Sequence, residues 1–91
     1  MPSRQVEVIN DVGLHATPLA QFVTTARSFA ETTIRVRQGE READGKSLIG
    51  LLTLEALKGT TIEITTEGPR AGEALDTLVV MLAGGFKKTH P

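Results

Sequence analysis

Val6-Glu7-Val8-Ile9-Asn10-Asp11-Val12-Gly13-Leu14-His15-Ala16-Thr17-Pro18-Leu19 is the stretch in which the hydrophobic period of the chain changes. On its N-terminal side Val6 and Val8 alternate with Gln5 and Glu7, the twofold period of a half-buried strand. Asn10, Asp11 and Gly13 carry turn chemistry that closes this strand. On its C-terminal side Leu19, Phe22, Val23, Ala26, Phe29 and Ala30 recur at helical spacing, with Gln21, Thr24, Thr25, Arg27 and Ser28 between them. Pro18 fits the first turn of that helix, where its missing N–H costs nothing. A strand, a turn and a helix, with His15 at the joint, are the first unit of the fold.

Further along, Ile34 and Val36 alternate with Thr33, Arg35 and Arg37 in a second strand, and Gln38-Gly39-Glu40 turns into a short third one over Arg41–Asp44. A brief apolar helix follows from Ser47 to about Leu54, ended near Gly59. Ile62 and Ile64 alternate with Thr61, Glu63 and Thr65 in a fourth strand, which Gly68-Pro69 breaks. Ala71, Ala74, Leu75, Leu78, Val79 and Leu82 outline a last helix, stopped by Gly84-Gly85. No repeat or linker interrupts the order β-α-β-β-α-β-α, so residues 1–86 read as one domain and 87–91 as a flexible tail. Each clear strand has one apolar face and one charged or threonine-bearing face. That predicts an α+β domain whose sheet carries helices on one face and is wet on the other. Outward Glu7, Arg35, Arg37 and Glu63 are placed to pair across strands.

Composition narrows the chemistry. A chain of 91 residues buries only about 60–65% of its unfolded surface, so its core is small and any chemistry sits near the surface. Ten basic against 11 acidic residues, no arginine-rich run and only three aromatics (Phe22, Phe29 and Phe86) argue against nucleic acid. Without cysteine there is no disulfide, thiolate metal site or redox pair. No apolar run reaches membrane-spanning length, and Met1-Pro2-Ser3-Arg4-Gln5 does not read as a signal peptide, so a cytoplasmic protein is expected.

His15 follows a turn glycine and directly precedes the amphipathic helix, at or near its N-cap. The first N–H groups of a helix lack intrahelical acceptors and, with the positive end of the dipole, form an anion site. An imidazole there is biased toward its neutral, nucleophilic form, and a phosphate added to it meets the N–H groups of Ala16 and Thr17. Taken alone, such a histidine is more often a cap or a surface residue. His90, in the tail, has no assigned role.

Gly13-Leu14-His15-Ala16-Thr17-Pro18 resembles the active-site motif Gly-Leu/Ile-His-Ala/Thr-Arg-Pro of the HPr family, the histidine phosphocarriers of the bacterial sugar phosphotransferase system. Lys46-Ser47-Leu48-Ile49-Gly50-Leu51-Leu52-Thr53-Leu54 resembles the family's regulatory-serine motif, at about the expected separation. The resemblance covers the chain apart from the tail. It implies an open-faced β-sandwich, with a four-stranded antiparallel sheet covered on one face by three helices. It also implies a stoichiometric carrier, not an enzyme: Nδ1 of His15 receives a phosphoryl group from phospho-enzyme I and passes it to enzyme IIA domains. No metal or other cofactor is needed, and a monomer is expected.

Ser47 reads on its own residues as an N-cap. The resemblance adds phosphorylation there by an HPr kinase/phosphorylase. At about 100° per residue, Leu51 and Leu54 lie on one side of the short helix and Leu48, Ile49 and Leu52 cluster on the other, so one cluster stays exposed. By resemblance, Leu48, Ile49 and Leu52 match the family's docking patch.

The chain departs from the family at Thr17, where the arginine that neutralises charge during transfer is missing, and at Leu19, larger than the small residue usual there. Arg27 and Lys46 are candidates to compensate, although exposed basic residues need no such role. Thr17 also keeps a second reading open: a regulatory binding module of the same fold, or a nitrogen-branch carrier, with weak phosphoryl flux. A self-contained enzyme is poorly supported, since there is no plausible acid–base pair and no second-site histidine.

Overall fold

The structure, a computed structural model, describes residues 2–7, 16–54 and 60–83, without the side chains of 16–18 and 83. Its elements run β1 (Ser3–Glu7), α1 (Ala16–Ser28), β2 (Thr33–Gln38), β3 (Arg41–Asp44), α2 (Leu48–Leu52), β4 (Thr61–Glu67) and α3 (Ala71–Ala83). The four strands form one sheet in the order β1-β4-β2-β3, with every neighbouring pair antiparallel. The predicted order and architecture are those observed. Val8, Gly59 and Gly84-Gly85 lie outside the described residues.

Register follows from the apolar alternation. Val6 lies opposite Ile62, Ile64 opposite Val36, and Val36 opposite Ala43, so the inward residues of all four strands share one face. A slip of one residue would turn Ile34, Val36, Ile62 and Ile64 into water together. Against this face α1 brings Leu19, Phe22, Val23 and Ala26, α2 brings Leu51, and α3 brings Ala74, Leu75, Leu78 and Leu82, all in one buried cluster. α3 lies over β1 and β4, and α1 packs between α2 and α3.

Two helix ends fall short of the apolar pattern. Phe29 is buried, yet α1 stops at Ser28 and Phe29 continues in a turn, its N–H bonded to Ala26 O at 3.1 Å. Leu54 is likewise buried beyond the end of α2, its N–H bonded to Leu51 O at 3.1 Å. Burial period alone cannot separate the last helical residue from a turn residue that points into the same core. On the wet face Arg35 and Glu42 form an ion pair, 3.8 Å apart, while Arg37 stands in register with both Glu42 and Glu63. Glu7 stands opposite Thr61, so the expected pairing reaches Arg35 through β3 and not through Glu7.

The approach to α3 is the one described stretch of unusual backbone outside a glycine. Arg70 has φ +61°, and its guanidinium donates to both carboxylate oxygens of Glu73 at 3.0 and 2.9 Å while lying 4.7 Å from the Phe29 ring centre. The salt-bridged Arg70 holds the Glu73 carboxyl below its ordinary range. Gly45 is required by close approach: its N–H donates to Ile34 O at 2.7 Å, and a Cβ there would meet Ile34 Cγ2 at 2.5 Å.

Candidate functional site

The site is built from the start of α1 and the whole of α2. α1 begins at Ala16, so Ala16 and Thr17 occupy its first turn and their N–H groups have no intrahelical acceptor. His15 itself lies outside the described residues, and so do the side chains of Ala16 and Thr17. Arg27 in the last turn of α1 complements the negative end of the helix dipole, while the first turn carries no acid and leaves the positive end without a side-chain anion.

α2 follows Ser47, which has extended backbone (φ −115°, ψ 111°) and accepts a hydrogen bond from Gly50 N at 3.0 Å. Ser47 is therefore the N-cap that its sequence context predicts. The helix divides its apolar residues as expected at two positions on each side. Leu51 and Leu54 are 1% and 2% exposed, whereas Ile49 and Leu52 are 75% and 41% exposed. Leu48 differs from its expected group: it is half-buried and packs against the core. α2 packs against both α1 and β3, and Ala43 of β3 is half-buried against the same core.

Arg27 and Lys46 are not simply solvated. Arg27 Nε donates to Lys46 O at 3.0 Å, and Lys46 Nζ donates to Phe29 O at 2.8 Å and Ala30 O at 3.2 Å. Both contacts lie at the C-terminal end of α1, roughly 16 Å along the helix axis from Ala16. The structure thus groups Ser47, Leu48, Ile49 and Leu52 on one short helix, but keeps Arg27 and Lys46 away from the first turn of α1.

Two features escaped the sequence reading. Arg41 Nη1 donates to Thr53 O at 3.1 Å, tying β3 to the end of α2. Val80 on α3 is 69% exposed. Arg41 left no sequence signal, because its partner is a backbone carbonyl; Val80 shows only as an apolar residue beside the helical stripe. Residues 16–28 and 46–54 contain no acid and only Arg27 and Lys46 as bases, whereas α3 of the same helical layer carries Glu73 and Asp76. Among the described residues, no group of three His, Cys, Asp or Glu could hold a metal ion. No helix among them is long and apolar enough to cross a membrane. An open cleft of about 300 Å³ lies on the wet face of the sheet between Arg35, Arg37, Glu42 and Thr65, away from the helices.

Comparison with known proteins agrees with this geometry. The family model described as "PTS HPr component phosphorylation site" matches residues 2–83. The chain is 43% identical to phosphocarrier protein HPr of Vibrio cholerae over 82 residues, covering 90% of this chain and 95% of the relative. It is 37% identical to phosphocarrier protein NPr of Escherichia coli K12, covering 89% and 90%. The crystal structure of HPr-C-His from Thermoanaerobacter tengcongensis superposes with a TM-score of 0.92 at 31% identity, covering 99% of this chain and 100% of that one.

Proposed function

The chain belongs to the HPr family of phosphotransferase-system phosphocarriers, and on that premise we propose that His15 is its phosphoryl acceptor. The P–N bond of a donor phosphohistidine on enzyme I breaks as a P–N bond forms to Nδ1 of His15. His15 keeps the proton on Nε2 and the donor ring keeps one on its own second nitrogen, so the donor leaves as neutral imidazole, the ring charge passes to His15 and the exchange balances. A second, similar exchange hands the group to an enzyme IIA domain. The N–H groups of Ala16 and Thr17 receive the phosphoryl oxygens. The carrier is consumed and regenerated stoichiometrically, with no cofactor, as a cytoplasmic monomer whose residues 1–86 form one domain.

The observation that carries this reading is that α1 begins one residue after His15 with its first N–H groups free of intrahelical acceptors. Docking is assigned to Ile49 and Leu52, with Leu48 contributing its exposed part. Ser47 is assigned as a regulatory site for an HPr kinase/phosphorylase. A phosphate there adds about −1.5 to −2 charges to a helical surface made by residues 16–28 and 46–54, which include no acid, so it opposes a partner whose matching surface is apolar or acidic.

The test is incubation with phosphoenolpyruvate and enzyme I, followed by intact mass and acid-lability measurement. The expected result is one acid-labile phosphate on the wild type and none on a folded His15→Ala variant. A wild type that takes no phosphate, or a His15→Ala variant that does, overturns the assignment.

One observation favours the alternative, a regulatory module with weak flux. Arg27 and Lys46 are held at the far end of α1, so neither supplies the charge that Thr17 lacks. A wild-type transfer rate too slow to sustain turnover would select that reading.

A further inference from the structure

α2 is five residues long, far below the length at which a helix sustains itself in water. It also leaves Ile49 and Leu52 outside the core. Its orientation has to be imposed by its surroundings: Leu51 and Leu54 anchor its inner side in the core, and three basic side chains hold its two flanks. At its start, Arg27 Nε holds the Lys46 carbonyl at 3.0 Å, while Lys46 Nζ reaches back to Phe29 O and Ala30 O just past the end of α1. At its end, Arg41 of edge strand β3 holds the Thr53 carbonyl at 3.1 Å, and Thr53 itself caps the helix through Oγ1 to Gly50 O at 2.6 Å. The carbonyls on both flanks of α2 are therefore gripped, one from α1 and one from the sheet.

We propose that Arg27, Lys46 and Arg41 are positioning residues for partner docking: they preorganise α2 so that Ile49 and Leu52 meet a partner already in place. This rests on the docking role assigned above to α2. The grips are mostly exposed hydrogen bonds, so they add little to global stability. Their effect falls on the ordering that docking would otherwise have to impose, and affinity scales with the fraction of carrier already competent. The same geometry explains why two bases of a segment without acids face backbone carbonyls and not the first turn of α1.

The experiment compares wild type with Arg27→Met, Arg41→Met and the double variant. It reads steady-state phosphorylation by enzyme I, amide exchange in the free protein, and thermal melting. Expected are KM values raised about three- to fivefold singly and about tenfold in the double variant, with kcat unchanged. The Gly50 and Leu51 amides exchange faster, and the double variant keeps a cooperative melt. The KM ratios persist between about 0.05 and about 0.5 M salt, because the grip is internal; a direct ion pair with the partner would be screened.

An unchanged KM, a fall confined to kcat, unaltered exchange in α2, or KM ratios that collapse at high salt each overturn the proposal. Should the wild type take no phosphate from enzyme I, the functional reading fails and the docking role of the grip falls with it. A phosphorylated wild type with unaffected variants defeats the grip alone. Lys46→Met also uncaps α1, so it is compared with the others only at matched fraction folded.

Discussion

Ile49→Ala separates stability from docking, because the side chain it truncates lies mostly outside the core. Three carbon atoms are removed, and Ile49 is 75% exposed. At about 0.8 kcal/mol per buried methylene, a partner that covers the whole side chain gains roughly 1.8 kcal/mol from the exposed three-quarters. Loss of that contact corresponds to a KM raised about tenfold to twentyfold, with kcat unchanged. The folded carrier loses only the quarter already buried, about 0.6 kcal/mol, or a melting temperature lowered by roughly 2–5 °C. Leu51→Ala is the internal control. Leu51 is 1% exposed, so its truncation costs about 2–5 kcal/mol and lowers the melting point by 10 °C or more. The assays are steady-state phosphorylation at varied carrier concentration and a thermal melt of each variant. A melting point for Ile49→Ala as low as that of Leu51→Ala would show that the wrong face of α2 has been put outside. An unchanged KM would show that the exposed patch is not where partners bind.

Leu48→Asp, in contrast to Ile49→Asp, is expected to lower the melting temperature as well as partner affinity, because Leu48 packs partly against the core; equal melting points for the two variants would contradict that packing. Ser47→Ala removes the acceptor of the Gly50 N–H and should cost about 1 kcal/mol, whereas Ser47→Asp keeps a good cap and should weaken partner binding at nearly unchanged stability, as thermal melts and binding titrations will read. Thr17→Arg should speed phosphorylation of His15 several-fold, since fixed positive charge beside a transferring phosphoryl group lowers its barrier; an unchanged or slower single-turnover rate would mean that the charge is already supplied. Glu73 is depressed by Arg70, so its contribution is fully present above the unfolded carboxylate value of about 4.3 and is lost as pH falls through the lower folded one. Wild type should therefore lose its advantage over Glu73→Gln across that acidic window, and an advantage that persists in acid would refute the pairing.

The sequence by itself determined the element order, the inward face of each strand except β3, and the place of His15 ahead of a helix. Those follow from periods of 2 and 3.6 and from turn residues, which act between near neighbours: Val36 against Arg35 and Arg37, or Ser47 against Gly50. The two motifs that resemble HPr proteins are also local, so the family is legible in the sequence. Tertiary structure alone decided what depends on contacts between distant segments. Phe29 and Leu54 are core residues in turns because the chain must leave each helix to reach its next element. Leu48 is half-buried because α2 packs against both α1 and β3. Arg27, Arg41 and Lys46 read alike in one dimension, as exposed bases. Each nevertheless donates to a backbone carbonyl 12 to 19 positions away in the chain. Every residue carries such a carbonyl, so no residue type marks the partner in advance; only the fold brings one within reach.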